Sequence, residues 1–501
     1  MRQRAAAASP QTSPSLLTTG SATVVFRANS PQPRVLLINA PSGLYRRDDR
    51  CQCKVEDQTV SVIFPPIEAA YAAATMRRAG AECRIRDYPA IGGTWEQFIA
   101  DLQEFRPTML LFTATTATVD LDMEAARVAR ETLPDLLIVA KGEYLNYHAE
   151  KYIEEHTVLD AIIYGEIELT VEELAAGRDF ASIQGLIWRS PEGKPVRNVP
   201  RPFTEDLDSF PFPARDLLEN RIYRSPENGK PITVLHANRG CPAKCIYCPA
   251  GVISGYSVRL RKPALVVDEI EECVNRYGIR DFLFHGDTFT INKKWMLSLC
   301  EEILKRNLDV HWGCNSRVDT IDDERAQMMK KAGCWVVAFG LESGVQELLD
   351  KMKKGARVEK AFTAIETCRR NGLRTHGFYV IGLPWETEET LQQTFDFAQK
   401  IDTDFFDFNI AYPLPGTELY EIARDEGLIS TNLAEGGYAQ ATMRTYKLTP
   451  EFLTDWRRKA LLKMNLRPRY VARTLWRATL TGCLPHYVKA GFRRLNRLMA
   501  A

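Results

Sequence analysis

Short apolar runs alternate with amphipathic helical stretches twice over along this chain, and no other feature constrains its fold as tightly. In the first series, Val35-Leu-Leu-Ile38 has the pattern of a buried strand, Ile67 to Ala79 that of a helix closed by Gly80, and Cys83-Arg-Ile-Arg-Asp87 that of a second strand. Met109-Leu-Leu-Phe112, a helix over 122–132, Leu136-Leu-Ile-Val139, Leu159-Asp-Ala-Ile-Ile-Tyr164 and a helix over 168–176 continue it. Apolar strands separated by helices belong to a parallel sheet covered on both faces, so an α/β, doubly wound domain is expected over residues 32–180. Such sheets bind ligands at the carboxyl ends of their strands. Those ends carry Asn39-Ala-Pro-Ser-Gly43, Thr113-Ala-Thr-Thr116, Lys141-Gly142 and Tyr164-Gly-Glu166, which makes Ser42, Gly43, Thr113, Thr115, Gly142 and Gly165 the candidate contacts.

The second series starts at Ile232, with strand-like segments over 232–237, 281–284, 310–313, 335–339, 375–381 and 405–411. Helical patterns lie between them, among them 267–277, 293–306, 324–331 and 357–371. Six such units suit a partial (β/α)6 barrel over residues 229–425, with function gathered at the strand carboxyl ends. Residues 181–228 read as a connector. Leu186-Ile-Trp188 and Pro195-Val196 flank the turn Ser190-Pro-Glu-Gly193, and Phe210-Pro-Phe-Pro213 cannot be helical inside. After residue 425 the pattern is helical and increasingly basic. Residues 1–31, rich in Ala, Ser, Thr and Pro, read as a disordered tail; Arg2, Arg4 and the lack of acidic residues keep a targeting peptide as the alternative.

A length of 501 residues calls for two or three domains, and 45% hydrophobic with 26% charged residues is a soluble globular composition. No apolar run approaches the roughly eighteen residues that span a bilayer, and no secretory signal is visible. The twelve cysteines are scattered, apart from the pair Cys51/Cys53 and a group at 241–248, which points to reducing cytoplasm rather than a disulfide framework. A net charge of +1 gives no support for a nucleic-acid partner.

That group, Gly240-Cys-Pro-Ala-Lys-Cys-Ile-Tyr-Cys-Pro249, follows the first strand of the second series. Thiolates at Cys241, Cys245 and Cys248 can hold three irons of a 4Fe–4S cubane, whereas a cluster with protein ligands alone needs a fourth Cys. The next one, Cys273, lies on an expected helix, so one iron stays open. The alternative is a zinc site, which usually takes four ligands in paired knuckles. The spacing, with an aromatic before the last Cys, resembles the signature of the radical S-adenosylmethionine (SAM) superfamily. The resemblance implies that the open iron chelates the amino and carboxylate groups of SAM, whose reductive cleavage yields a 5′-deoxyadenosyl radical.

Further candidates sit at the later strand ends. Gly286 lets a ligand approach the backbone, and Asp287 can accept from an ammonium group; the resemblance gives this position to the SAM amino group, and a helix N-cap is the competing role. Ser316 can reach a ribose hydroxyl, and Arg317 offers a bidentate fork to a carboxylate or, alternatively, makes a surface ion pair. Glu342 is a further polar contact. Gly382 suits close packing against adenine, although Pro384 and Glu386 can equally start a helix. Tyr247 can lie along the adenine ring or pack in the core. Tyr412-Pro-Leu-Pro-Gly-Thr417 closes the series as a shaped loop.

From about Arg34 to Arg497 the chain is similar to radical SAM enzymes with an amino-terminal cobalamin-binding domain, most of all the hopanoid-modifying and magnesium-protoporphyrin ester cyclase branch. The similarity lies in Val35–Pro41, Gly240–Pro249, Phe339–Gly344, Ile381–Glu386, Tyr412–Tyr420 and Leu466–Tyr470. The Asp-x-His-x-x-Gly pattern of His-ligated cobalamin domains is absent, since neither His148 nor His156 follows a strand in that setting. A Gly-Gly turn common after the fourth strand is here Lys141-Gly142, which leaves less room for a corrin or its tail. Cys51 and Cys53 lie in the loop after the first strand, as loop thiols with or without a special role.

The resemblance implies an anaerobic enzyme with a 4Fe–4S cluster, SAM and cobalamin, abstracting hydrogen from an unactivated carbon and transferring a methyl group to it. A non-methylating rearrangement or cyclisation of a lipid-like or tetrapyrrole substrate is the second expectation, and a non-catalytic iron–sulfur or zinc protein the third. An external one-electron reductant such as flavodoxin or ferredoxin is implied. Between Arg457 and Arg497 there are twelve Lys or Arg and no Asp or Glu. Leu461, Leu462, Leu466, Val471, Leu475, Leu480, Val488, Phe492, Leu495 and Leu498 there either pack on the barrel or lay the tail on an anionic membrane.

Overall fold

The computed structural model describes residues 32–48, 51–58 and 62–500. The expected tail over 1–31 and the side chain of Cys51 lie outside the described residues. Strands β1 (Arg34–Asn39), β2 (Glu82–Asp87), β3 (Met109–Thr113), β4 (Leu137–Lys141) and β5 (Ala161–Ile163) are parallel, in the order β2-β1-β3-β4-β5. Both faces are buried, which is why these strands read as continuous apolar runs. Val35 and Leu37 pack under helices Ile67–Arg78 and Glu168–Ala175, while Leu36 and Ile38 pack under Trp95–Phe105 and Val119–Thr132. Helix Trp95–Phe105 is additional to the elements expected from sequence and starts at a Thr94/Gln97 capping box. Strand order reverses between β1 and β3, which opens a crevice at their carboxyl ends.

The hairpin expected in the connector is present as β6 (Leu186–Arg189) and β7 (Pro195–Arg197). It pairs antiparallel with β5, so the first sheet has seven strands and runs on past residue 180.

Strands β8 (Ile232–Leu235), β9 (Asp281–Phe284), β10 (His311–Ser316), β11 (Cys334–Glu342), β12 (Arg374–Ile381) and β13 (Phe405–Ile410) form a six-stranded parallel sheet in sequence order. This is the partial barrel. Trp312, Val337, Phe339, Phe406 and Phe408 belong to the helix-covered core, and alternate residues such as Leu283, Gly313, Ala338 and Phe378 face a central lumen.

A seam of buried charge joins the halves. Arg239 pairs with Glu166 and Glu168, and Arg259 grips both oxygens of Glu166 at 2.9 and 2.7 Å. Arg215 and Arg261 share the fully buried Glu269 at 2.7 and 2.5 Å. Three helices end the chain: Pro450–Asn465, Pro468–Leu480 and Leu484–Ala500. Leu453, Leu461, Met464 and Tyr470 join the barrel core, Arg467 and Arg473 pair with Asp402, and Arg477 pairs with Asp404. Leu466, Val471, Leu475, Leu480, Val488 and Phe492 are exposed, which corrects the expectation that they pack on the barrel. In the second tail helix Tyr470 and Ala478 are buried, and in the last helix Leu498 packs partly on the barrel core. Among the described residues, no helix is long and apolar enough to cross a membrane.

Candidate functional site

The carboxyl ends of both sheets and the tail helices bound one cavity of about 1860 Å³. Ordinary ligand pockets hold roughly 300–1,000 Å³, so this one has room for more than a single small molecule.

The cysteine loop forms part of its wall. Gly240 has φ +87°, and a Cβ there would lie 2.0 Å from the Ser257 carbonyl oxygen, so only glycine fits the entry to the loop. The Cys248 N–H donates to the Cys245 carbonyl at 3.2 Å, and the Ile246 N–H to the Met352 carbonyl at 3.1 Å, which ties the loop to the segment after β11. Cys241, Cys245 and Cys248 line the cavity and are partly exposed, whereas Cys53, Cys83, Cys273, Cys300, Cys314, Cys334 and Cys368 are buried. Burial pushes the Cys245 thiol up, and the Lys354 ammonium opposes it. Among the described residues, no three His, Cys, Asp or Glu side chains gather around one ion-sized point. A cubane gives each of three thiolates its own iron, and Cys241, Cys245 and Cys248 all reach the one cavity.

Tyr247, Gly286, Asp287, Ser316, Arg317 and Glu342 all reach the same cavity. Asp287 is not a helix cap: the following helix begins at Lys293 and is capped by Asn292, whose side chain accepts from the Trp295 N–H. The space left by Gly286 is taken by the protein itself, since a Cβ there would sit 2.1 Å from Asn238 Oδ1. Ser316 Oγ is 2.5 Å from Thr290 Oγ1. Arg317 is committed more fully than expected. Its Nε and Nη2 donate to Asp319 at 3.0 and 2.9 Å, and its Nη1 to the Lys354 carbonyl at 3.0 Å, so the fork is closed on a neighbouring carboxylate.

Glu342, at φ +59°, accepts from Lys354 Nζ at 2.6 Å, with Glu342 buried and Lys354 keeping 11% of its side-chain surface. Lys354 Nζ lies 3.5 Å from the Tyr247 hydroxyl, and burial followed by the Glu342 charge pushes that phenol far up. Gly340 makes room for the pair, because a Cβ there would come 2.2 Å from Glu342 Oε1. Lys354 carries no sequence signal: in Lys353-Lys354 after a short helix it looks solvated. Gly382 lies off the cavity wall, which corrects its assignment to adenine. At φ +83° it turns the chain out of β12, donates its N–H to Glu386, and faces Leu453. Glu386 also accepts from the Leu383 N–H at 3.2 Å, and burial pushes its carboxyl up to about 8.

In the first domain only Thr113, of six expected contacts, lines the cavity. Ser42 Oγ accepts from Arg47 at 3.1 Å, and buried Thr115 bonds Thr118 at 2.8 Å. Gly142, at φ +134°, abuts the Ala114 carbonyl, 1.9 Å from where a Cβ would stand. Gly43 is exposed and Gly165 stands off the wall. The hairpin Tyr45–Asp48/Cys51–Lys54 and the segment after it supply the rim instead, through Tyr45, Arg46, Lys54, Val55 and Phe64. Arg47 anchors that hairpin by donating to the Thr113 carbonyl at 3.0 Å and to Asp122 at 2.7 Å. Lys141 pairs with Glu68. His148 and His156 pack on Tyr144, Tyr147 and Tyr152, away from the cavity, and burial pushes His148 down. The histidines on the cavity wall are His236, His285, His376 and His486, none from the first domain.

Residues 236–398 match the Radical SAM superfamily, and residues 55–175 match the B12 binding domain. An uncharacterized methyltransferase of Pyrococcus horikoshii is 31% identical over 84% of this chain and 92% of its own. The anaerobic magnesium-protoporphyrin IX monomethyl ester cyclase of Rubrivivax gelatinosus is 28% identical over 86% of this chain and 80% of its own. The radical S-adenosylmethionine methyltransferase TsrM of Kitasatospora setae, solved with cobalamin and a 4Fe–4S cluster bound, matches with a TM-score of 0.64 at 21% identity, over 80% of this chain and 76% of that one. At that identity the likeness is one of fold.

Proposed function

This chain belongs to the radical SAM enzymes that carry a B12-binding domain, the family of cobalamin-dependent methyltransferases, and from that premise we propose that it methylates an unactivated carbon of a small molecule with an apolar body. Its cofactors are a 4Fe–4S cluster, SAM and cobalamin, and like other radical SAM enzymes it needs a reductant. When bound, the cluster and SAM supply the hydrogen abstraction and cobalamin supplies the methyl group.

The observation that carries the proposal is that the cysteine triplet, the strand ends of the barrel and the β1/β3 crevice all open onto one cavity. Cys241, Cys245 and Cys248 hold the cluster. Asp287, Ser316, Glu342 and Tyr247 orient SAM beside it, and Lys354 fixes Glu342. Leu283, Ala338, Phe378 and Val380 form an apolar lumen that excludes water from the reacting carbon. Flavodoxin or ferredoxin is the reductant we expect, and the basic tail bears on a membrane.

The test uses anaerobically reconstituted protein. It should bind about four irons, and replacing Cys241, Cys245 and Cys248 together by Ala should abolish both iron and 5′-deoxyadenosine. A triple variant that still cleaves SAM would end the proposal. SAM carrying a labelled methyl group distinguishes the outcomes further: cleavage without any label reaching cobalamin or product would favour a non-methylating reaction.

A further inference from the structure

The tail helices Pro468–Leu480 and Leu484–Ala500 concentrate apolar side chains on the outside of the molecule. Among the described residues, eight of the fifteen exposed large hydrophobics fall between Leu466 and Met499. Trp476, Leu480, Phe492 and Met499 are each 65–68% exposed. In the last helix Val488, Phe492, Leu495 and Met499 recur at helical spacing and form one stripe. Exposed Arg469, Lys489 and Arg493 flank this surface, and no Asp or Glu occurs after Asp455. The partners of Arg467, Arg473 and Arg477 are barrel carboxylates, so those charges hold the tail in place and leave the outer cations to face something else.

A second observation is independent of composition. Leu466, Val471, Leu475, Val488 and Phe492 are 38–65% exposed and also line the central cavity. Side chains that belong to both the outer surface and the cavity wall mark an opening. The cavity therefore opens in part between the two tail helices, where these five apolar side chains stand beside Lys489 and Arg493, while exposed Lys54, Glu56, Glu435 and Glu451 mark the rest of its edge.

We propose that this face docks on an anionic phospholipid bilayer and sets the cavity mouth against the lipid, so that a substrate with an apolar body enters from the membrane. Trp, Phe and Leu beside Lys and Arg on one face are what an interfacial helix presents to headgroups and acyl chains. A second copy of the chain fits poorly, because a two-fold contact would set like-charged faces against each other. The substrate route rests on the enzymatic function proposed above; the docking surface does not.

The experiment is flotation of the reconstituted holoenzyme with vesicles, run beside an assay of SAM cleavage. Three exposed cations near an anionic surface should raise partitioning on the order of a hundredfold for phosphatidylglycerol vesicles over phosphatidylcholine ones, and high salt should reverse the gain. Trp476 and Leu480 lie outside the cavity, so the double variant Trp476→Glu/Leu480→Glu should lose flotation and keep SAM cleavage. A fluorophore on Cys483, in the turn between the helices and partly exposed, should be quenched by vesicles with brominated acyl chains, and the signal should vanish in Cys483→Ser. A wild-type protein that cleaves SAM but floats with no vesicle overturns the docking surface. So does a double variant that floats unchanged, or a dimer or a flavodoxin complex that the double variant dissolves while flotation is absent. Floated protein with an unquenched label overturns the placement of the mouth. Protein that floats but never cleaves SAM refutes the enzymatic function and leaves the docking surface standing.

Discussion

Replacing Lys354 with Met strands the Glu342 carboxylate. The two groups are 2.6 Å apart, and their side chains keep only 11% and 7% of their accessible surface. Burial alone would pull the Lys354 ammonium down, but Glu342 and Cys245 outweigh it and hold the charge. Removing one partner of a dry buried pair costs about 3–5 kcal/mol, but Glu342 also faces the cavity and is hydrated from that side in apo-protein, which lowers the cost. Lys354→Met should therefore destabilise the barrel by about 1–3 kcal/mol, whereas Lys354→Met/Glu342→Gln, which removes both charges, should recover most of it. Anaerobic urea unfolding of apo-protein, followed by tryptophan fluorescence, measures both. The double variant separates stability from ligand binding: it should fold but bind SAM more weakly, because the group that orients Glu342 beside the cysteine loop is gone. A single variant within about 1 kcal/mol of wild type, the range of exposed pairs, would show that the pair is fully solvated and refute the reasoning.

Three further outcomes follow from the site. Burial raises the Glu386 carboxyl to about 8 from 4.5, so the folded state holds that proton more tightly than the unfolded one. This contribution to stability is complete below about 4.5 and is lost as pH rises toward 8, at up to about 1.4 kcal/mol per pH unit; Glu386→Gln should flatten the curve of unfolding free energy across that window. Asp287→Ala should weaken SAM binding about ten- to a hundredfold with the cluster absorption unchanged, while Arg317→Ala, its fork already closed on Asp319, should weaken it less; equal losses in titrations of the two variants would contradict the geometry. With His148 and His156 packed on tyrosines, cob(II)alamin bound to the protein should show no nitrogen superhyperfine splitting from a first-domain histidine in electron paramagnetic resonance, and splitting lost in His148→Ala or His156→Ala would refute this.

The parts legible in the sequence are those written in local patterns. The two strand–helix series, the turn at the cysteine loop and the cavity positions of Asp287 and Glu342 follow from period, spacing and strand ends. Glycines at strand ends were legible only as places of close approach. Gly286 yields to Asn238 and Gly142 to the Ala114 carbonyl, so what approaches is the protein's own chain. Lys354 is illegible for the converse reason. Its place depends on a gap left by Gly340 and a carboxylate twelve residues earlier, neither of which marks a lysine as buried. The same holds for Arg47, whose partners Thr113 and Asp122 lie 66 and 75 residues away.

The charged seam makes this protein one object rather than two modules. A barrel expressed without residues 32–180 would keep Arg239 and Arg259 but lose Glu166 and Glu168, and the first domain alone would turn those carboxylates out to water. Each half cut free loses the pairs that join it to the other. Swapping the first domain between relatives to change the chemistry of the barrel therefore requires carrying across both ends of each ion pair, and a chimera that ignores them is expected to fail as a fold before it can fail as a catalyst.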